Sequence, residues 1–534
     1  MEDFKADQGA AITPYDKMPY PAGAYPQSHP DRLETLAALF GMTPPDLRSC
    51  RVLELGCADG SNLIPMACAL PGSRFVGVDL SARQVSAGRK AIAALSLENI
   101  DLRHSDIRDI DQRFGTFDYI ICHGVYSWVP AAVQQKILSI CRERLHENGV
   151  AYISYNTYPG WRMRGMLRDM MLYHSRKFDD PLKQIEQARA LIQWLSESVR
   201  GQNNPYGMLL RIELEQMRNW QDTYFRHDSL EEINEPVYFH EFTELAAKHG
   251  LKYLAEAEFP MMLAGNCGSS IFNTLERLGR DIIEMEQYMD FLRNRMFRQT
   301  LLCHEGVSLN RTLGPWCLSG LHCAAAARAA HSTPSLASEK EEIFHGLQQQ
   351  TISSREPIVK TALVCLAECW PATLSLSELT EKARARIAGL MKASGIPVPD
   401  IETDRQTLAG ALLNCFSQGI CELHCHPVPF VLSAGEHPQA CAWVRYSAHK
   451  GTVTSRRHEQ VALDTFERQL VPLLDGCQDR TAIVAALTDL AASGALVVDV
   501  EGRRMQAPTE LRRIMGIALE EKLHQFGRQG LLIR

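Results

Sequence analysis

The sequence predicts an α/β fold: an open parallel sheet wound with helices on both faces, carrying a helical insertion and followed by mainly α winged-helix-like modules. Three observations predict it. Short apolar runs alternate with helical patterns over residues 51–155, and strands separated by helices imply right-handed crossovers and a sheet buried on both faces. The first run leads into a glycine turn, Leu55-Gly-Cys-Ala-Asp-Gly60, where such sheets bind ligands. Past residue 156 the apolar period becomes helical. At roughly 150 residues per domain, 534 residues predict three or four domains.

Residues 1–30 hold Tyr15, Pro19, Tyr20, Pro21, Tyr25, Pro26 and Pro30. Proline resists helix and sheet alike, so this segment reads as an ordered arm or lid. A helix is expected over 31–40, stopped by Gly41 and Pro44-Pro45. Strands follow at 51–55, 75–78, 100–104, 117–122 and 150–155, with helices at 63–70, 82–95 and 132–145 between them. Residues 158–240 read as a helical insertion with a break near 201–207. A helix at 242–248 and a strand at 252–262 then return the chain to the first domain, which spans 31–265.

Ile271, Leu275, Leu278, Ile282, Met285, Met289, Leu292 and Met296 recur at 4-3-4-3 spacing. That spacing predicts one helix burying all eight on one face, within a regulatory and linker region at 266–350. Arg293, Arg295 and Arg298 read as its solvated flank. The segments 351–435 and 436–534 share a plan. Helices at 358–367, 376–386 and 407–418 precede a strand from Ile420, and helices at 460–474 and 481–492 precede a strand at 495–500. Helices closed by a strand suggest winged-helix-like modules.

Composition excludes several classes. Lys+Arg 56 against Asp+Glu 63 gives a net charge of −7, whereas a protein working by neutralising phosphates is usually basic; no nucleic-acid partner is expected. The first residues lack the basic and apolar regions of a signal peptide, and no uncharged apolar run is long enough to span a bilayer; the stretch taken as nearest to one, around 323–330, is short and carries Arg328. No membrane insertion is expected. The 16 cysteines follow no repeated spacing and read as reduced core thiols of a cytoplasmic protein.

The glycine turn carries the chemistry. Gly56 and Gly60 let the backbone turn and approach a ligand, with Cys57 between them. Glu54, just before the turn, can accept from a ligand ammonium. The spacing resembles Glu/Asp-x-Gly-x-Gly-x-Gly of class I S-adenosylmethionine-dependent methyltransferases, with Ala58 at the middle glycine. A dinucleotide turn occupies the same place but sets a pyrophosphate on the helix N-terminus. Glu54 and Asp59 would repel that anion and suit a donor bearing an ammonium and a sulfonium.

Later strand ends agree. Asp79, 19 residues past Gly60, can bind ribose hydroxyls, with Leu80 beside it. Ser105, Asp106 and Ile107 follow the third strand, where an acid can accept from the adenine amino group and an apolar side chain can pack on the ring. His123 closes the fourth. Taken singly, Asp79 or Asp106 would more often cap a turn; their register after consecutive strands points to S-adenosyl-L-methionine.

For the acceptor, His123-Gly-Val-Tyr-Ser-Trp-Val-Pro130 lacks the Asn/Asp-Pro-Pro-Tyr of many enzymes acting on planar nitrogens. A Pro-Cys nucleophile of the cytosine-C5 kind is also missing from the sheet region. Tyr126, Trp128, Tyr155 and Asn156 are the substrate-pocket candidates, with Tyr15, Tyr20 and Tyr25 as further aromatic faces able to surround an alkylammonium.

The run from Tyr15 to Leu33, together with His123–Pro130, Ser154-Tyr-Asn-Thr-Tyr-Pro-Gly-Trp161, Asn234-Glu-Pro-Val-Tyr-Phe-His-Glu-Phe242 and Tyr288-Met-Asp-Phe-Leu-Arg-Asn-Arg-Met-Phe-Arg-Gln299, is similar to bacterial methyltransferases with a methyltransferase regulatory segment. Among these the chain resembles the rickettsial-type protein-lysine methyltransferases, which modify outer-membrane protein. The resemblance implies a Rossmann-like class I methyltransferase domain, a helical insertion that forms a homodimer, and later domains that help bind a protein substrate. By position it places Glu54, Gly56, Gly60, Asp79, Ser105, Asp106 and His123 around the cofactor. Two alternatives stand beside protein-lysine methylation: a small-molecule methyltransferase with regulatory C-terminal domains, and a non-catalytic cofactor-binding regulator. The roughly 230 residues beyond Gly306 favour a large substrate.

Two other constellations take structural readings. Cys421-Glu-Leu-His-Cys-His426 lacks a spaced second Cys pair, so no metal is expected there and Glu422, His424 and His426 read as a solvated strand face. Arg162, Arg164, Arg168, Arg176 and Lys177 read as a solvated helix face.

Overall fold

The computed structural model describes residues 14–199, 204–393, 399–497, 499–500, 503–505 and 507–534; the first thirteen residues of the expected arm lie outside them. Seven strands form the main sheet: β1 (Arg51–Leu55), β2 (Arg74–Asp79), β3 (Ile100–His104), β4 (Phe117–Cys122), β5 (Leu145–Asn156), β6 (Leu251–Glu256) and β7 (Phe297–His304). Their order is β3-β2-β1-β4-β5-β7-β6. The first five are parallel, and β7 runs antiparallel between β5 and β6. The order reverses between β1 and β4, and ligands of open α/β sheets gather at the strand carboxyl ends beside such a switch.

Strand alternation builds the two cores. Val52, Phe75, Tyr119 and Tyr152 face a cluster containing Leu33, Leu36, Leu63 and Ile64. Leu53, Leu55, Ile120 and Ile153 face the opposite cluster, with Ile137, Leu138 and Phe242. The insertion comprises helices Trp161–Ser175, Pro181–Ser198, Pro205–Arg218 and Asp222–Ser229, around its own core of Leu167, Met171, Ile185, Ile192, Leu210 and Phe225.

The structure corrects four expectations. The 271–296 stripe is two helices, Ser269–Leu278 and Ile282–Arg293. Gly279 interrupts it, and Asp281 caps the second helix by accepting from the Glu284 N–H at 2.9 Å. Leu275 and Met289 are buried, but Ile271, Leu278, Leu292 and Met296 are exposed. Residues 297–304, assigned to no element, form β7 inside the sheet. Within 305–350, expected to include a linker in the linker/middle region, strands occur: His322–Ala324 pairs with both Leu374–Ser375 and Glu422–His424, and Glu342–His345 pairs with Thr351–Ser354, so sheet pairing crosses the expected boundary at 350. In the last module 460–474 is not one helix, since Gln460–Ala462 pairs with Thr452–Thr454 as a hairpin and the helix is Thr465–Leu470. The expected strand at 495–500 is observed at Asp499–Val500, and residue 498 lies outside the described chain.

Candidate active site

The turn after β1 is left-handed at three positions: Gly56 at φ +79°, Ala58 at +50° and Gly60 at +75°. The Gly56 and Cys57 N–H groups both donate to the Val78 carbonyl, at 2.8 and 3.0 Å, locking the turn to β2. A Cβ on Gly56 would lie 2.4 Å from Val125 Cγ2, so the loop after β4 closes onto the turn only because that residue is glycine.

Three carboxylates surround this loop. Glu54 is buried; its Oε1 accepts from Asn62 Nδ2 at 2.7 Å, while its Oε2 is buried without a partner among the described residues. Burial raises its pKa to about 8; nearby Asp79 and Asp59 add to the rise and the Asn62 bond opposes it. Asp79 accepts from the Ala58 N–H at 2.9 Å and the Ser81 N–H at 2.8 Å; burial raises its pKa against the pull of those two bonds. Asp59 Oδ1 accepts from Ser61 N–H and Oγ. An orphaned, buried carboxylate oxygen between two further acids is completed by a cationic donor and repels an anion. The residues present therefore fit the ammonium end of S-adenosylmethionine.

Residues 14–29 pack beside the strand ends and on the insertion. Ser81 Oγ donates to Asp16 Oδ1 at 2.7 Å, Gln84 Nε2 to the Tyr20 carbonyl at 3.2 Å, and Tyr25 N–H to Asn62 Oδ1 at 3.0 Å. Tyr15 stacks on His227 of the insertion with ring centroids 4.7 Å apart, and Tyr20 leans on Tyr224. Tyr25 stacks on His123 at 3.7 Å. His123 Nδ1 bonds the Tyr152 hydroxyl at 2.8 Å, and the Phe297 edge meets its ring at 6.2 Å. Burial lowers the His123 pKa to about 3, so the ring is neutral at physiological pH and surrounded by aromatic faces.

The other predicted residues divide. Glu54, Gly56, Cys57, Gly60 and Asp79 stand in and beside the turn after β1, His123 follows β4 with its ring on Tyr25, and Leu80 is half exposed beside Asp79. Asp106 does not offer a free carboxylate: it accepts from the Arg108 N–H and pairs with the Arg108 guanidinium at 2.6 Å, so it caps its own turn. Ser105 Oγ turns back to the Asp106 carbonyl, and Ile107 packs partly on the core. Tyr126 and Tyr155 are fully buried against Phe242, with the Tyr155 hydroxyl on Thr300 Oγ1 at 3.0 Å. They are core residues beneath the site rather than pocket wall, a correction. Trp128 meets Trp161 edge-on, and Asn156 Nδ2 donates to Asn234 Oδ1 at 3.0 Å. Beside this pair, a cleft of about 750 Å³ is lined by Tyr158, Trp161, Asp169, Tyr173 and Asn234.

Reasoning from sequence missed Asn62, Phe297 and His227. Asn62 lies two residues beyond Gly60, at the N-cap of the next helix, a legible position; the other two arrive from distant segments. The Cys421–His426 segment is not solvated either. His424 Nδ1 bonds Asp31 at 2.7 Å and His426 Nε2 bonds Glu34 at 3.0 Å, joining this strand to helix Pro30–Leu39. Glu34, Asp46 and His426 lie close enough to hold a cation, but Asp46 is taken by Arg48 at 2.6 Å. Of the basic residues opening the insertion, Arg164 pairs with Asp228 and Arg168 is buried and donates to the Glu231 carbonyl; neither belongs to a free basic face.

Comparison with known proteins agrees along the whole length. Residues 53–151 match a methyltransferase domain, 221–304 a predicted methyltransferase regulatory domain, and 436–531 the PKMT C-terminal winged helix domain. The chain is 35% identical over 527 residues to the uncharacterized protein RP789 of Rickettsia prowazekii, covering 97% of this chain and 94% of that one. It is 41% identical over 240 residues to RP028 of the same organism, covering 45% of this chain and 96% of the relative. The solved structure of PKMT2 from Rickettsia typhi in complex with AdoHcy superposes with a TM-score of 0.86 at 31% identity, covering 97% of this chain and 100% of that one.

Proposed function

We infer, for a chain that belongs to the rickettsial PKMT family and is an S-adenosylmethionine-dependent methyltransferase, that its acceptor is the side-chain amine of protein lysines. The observation that carries this is the end-to-end likeness to PKMT2, winged-helix domain included. A small metabolite would need only a lid over the pocket, a part that residues 14–29 would play in this reading, which leaves the later domains for a larger acceptor.

When bound, the donor supplies a methyl group on sulfur that an amine lone pair attacks in line, the S–C electron pair returning to sulfur. In this reading Glu54 Oε2 accepts from the donor ammonium, and Asp79 takes the ribose hydroxyls on its remaining lone pairs. Leu80 and Ile107 flank the adenine, with the backbone at 105–106 replacing the engaged Asp106 carboxylate. Neutral His123 with Tyr25 and Phe297 would form an aromatic wall for the acceptor, with the buried Tyr152 behind it holding the His123 ring through its hydroxyl. A lysine in water has a pKa near about 10.4, and a dry wall of this kind favours the neutral, nucleophilic amine.

A homodimer through the insertion is part of this reading. Met163, Met166, Tyr173, Leu182, Trp194, Met208 and Ile212 are all exposed there, an apolar surface that a second copy would cover. No described helix is long and apolar enough to cross a membrane, and the described cysteines are free thiols, in keeping with a cytoplasmic enzyme. The net charge of −7 favours a protein over a nucleic-acid substrate.

The test is incubation with methyl-labelled donor and fractionated lysate, followed by acid hydrolysis. Label recovered as methyl-lysine is expected. Label on metabolites would favour the small-molecule reading, and donor binding without turnover a regulator.

A further inference from the structure

We propose that His458 is a positioning residue for Glu54, through which the C-terminal domain sets affinity for the amino-acid end of the methyl donor. The hairpin Thr452–Thr454/Gln460–Ala462 carries His458 at its tip, in a left-handed conformation at φ +60°. The tip is held from several sides. The Ser455 N–H donates to the Glu459 carbonyl at 2.8 Å and the Arg456 N–H to the Gly530 carbonyl at 2.9 Å. Arg457 pairs with Glu422 at 2.8 Å and stacks over Trp370 at 4.0 Å. The side chain of Gln460 lies against Gly23, where a Cβ would meet its Nε2 at 2.1 Å.

So braced, His458 is buried with its Nε2 2.7 Å from Asn62 Oδ1. The donor in that contact is fixed by a third group. The Tyr25 N–H points at the same oxygen from 3.0 Å, so that atom is the amide oxygen and the imidazole must donate from Nε2. Asn62 Nδ2 is thereby directed outward, donating to Glu54 Oε1 at 2.7 Å and Ser28 Oγ at 3.1 Å. Asn62 thus accepts two bonds and donates two, and one Glu54 oxygen is held while the other stays open. Without His458 the amide loses one of the two donors fixing its orientation. Rotation would present its oxygen to Glu54, repelling the carboxylate meant to receive an ammonium. His458 touches neither donor nor acceptor; it acts through Asn62, 396 residues away in sequence.

The proposal rests on the reading that Glu54 receives the donor ammonium, and the experiment separates the two. Calorimetry on the full-length protein compares S-adenosylmethionine with 5′-methylthioadenosine, which keeps the adenosine and lacks the amino-acid end. His458→Ala should weaken S-adenosylmethionine by about tenfold, the scale of one hydrogen bond, and leave methylthioadenosine unchanged. His458→Gln, which can donate from its own Nε2, should restore most of the loss. Equal weakening of both ligands, or no rescue by glutamine, would mean a purely structural role and overturn the proposal. Unchanged binding in His458→Ala, with Glu54→Gln impaired, would overturn it while leaving the Glu54 reading intact. Unchanged S-adenosylmethionine binding in Glu54→Gln would overturn both.

Discussion

Ala58 holds φ +50° at the centre of the cofactor turn, where its Cβ crowds the following carbonyl. An L-residue in that region costs roughly 1 kcal/mol relative to glycine. Ala58→Gly should therefore raise stability by up to about 1 kcal/mol in urea unfolding and preserve donor affinity; a loss of stability would mean the turn is not strained there. The turn was legible because glycines, an acid and a strand end stand in one short stretch. Tyr126 and Tyr155 were misread because sequence shows that a residue follows a strand end but not whether it faces cavity or core. Tyr155 stacks on Phe242 with centroids 4.2 Å apart, a partner 87 residues away that no local pattern announces. Asp106 shows the opposite outcome, since a cap two residues before Arg108 is the commoner role of an acid in a turn.

At the level of the element, β7 is the part of the fold that sequence hid. Its run Phe-Arg-Gln-Thr-Leu-Leu-Cys-His carries a charge at its second residue, which argues against a central strand until its partners are seen. Arg298 is fully buried and binds Glu256 at 2.8 Å, Glu286 at 2.9 Å and Asp290 at 2.8 Å, with its guanidinium 3.7 Å above the Phe239 ring. Arg295 shares Glu256 at 2.6 Å. Burial raises the pKa of Glu286 and Asp290 against the pull of Arg298. The cluster ties helix Ile282–Arg293 to β6 and β7, and Thr300 extends it from Glu256 to the Tyr155 hydroxyl. The broken stripe has the same origin: the helix turns about Gly279 so that Glu286 and Asp290 reach Arg298. Removing one member of a buried ionic cluster strands the others, so Arg298→Leu should cost about 3–5 kcal/mol in equilibrium unfolding. A loss below about 1 kcal/mol would show the carboxylates accommodate without it.

Across the whole molecule, the first core cluster runs without interruption from Leu33 and Val52 through Ile358 and Leu412 to Trp443. The methyltransferase sheet, the middle helices and the edge of the last module are thus packed as one body. That the chain ends in a winged-helix module was legible from periodicity. The joints between distant segments were not, because His424 on Asp31 and His458 on Asn62 are single side chains meeting across some 390 residues. The insertion exposes several large apolar side chains, with Trp194 61% exposed. For the homodimer proposed above, Trp194→Glu should yield a monomer in sedimentation velocity where the wild type sediments as a dimer; a monomeric wild type, or a dimer that survives the substitution, would contradict an interface on the insertion.

The most direct test of the acidic pocket is the proton balance of donor binding. With its pKa near 8 in the free protein, Glu54 is mostly protonated at pH 7 and must ionise to receive an ammonium. Binding should release a proton, and affinity should climb as pH rises from 6 to about 7, where the donor's own α-amino group, with a pKa of about 7.7–8.0, is still mostly protonated. Calorimetry of S-adenosylmethionine in buffers of different ionisation enthalpy reads this release; the account predicts it in the wild type and its loss in Glu54→Gln. Equal proton release and an equal pH slope in both proteins would contradict it.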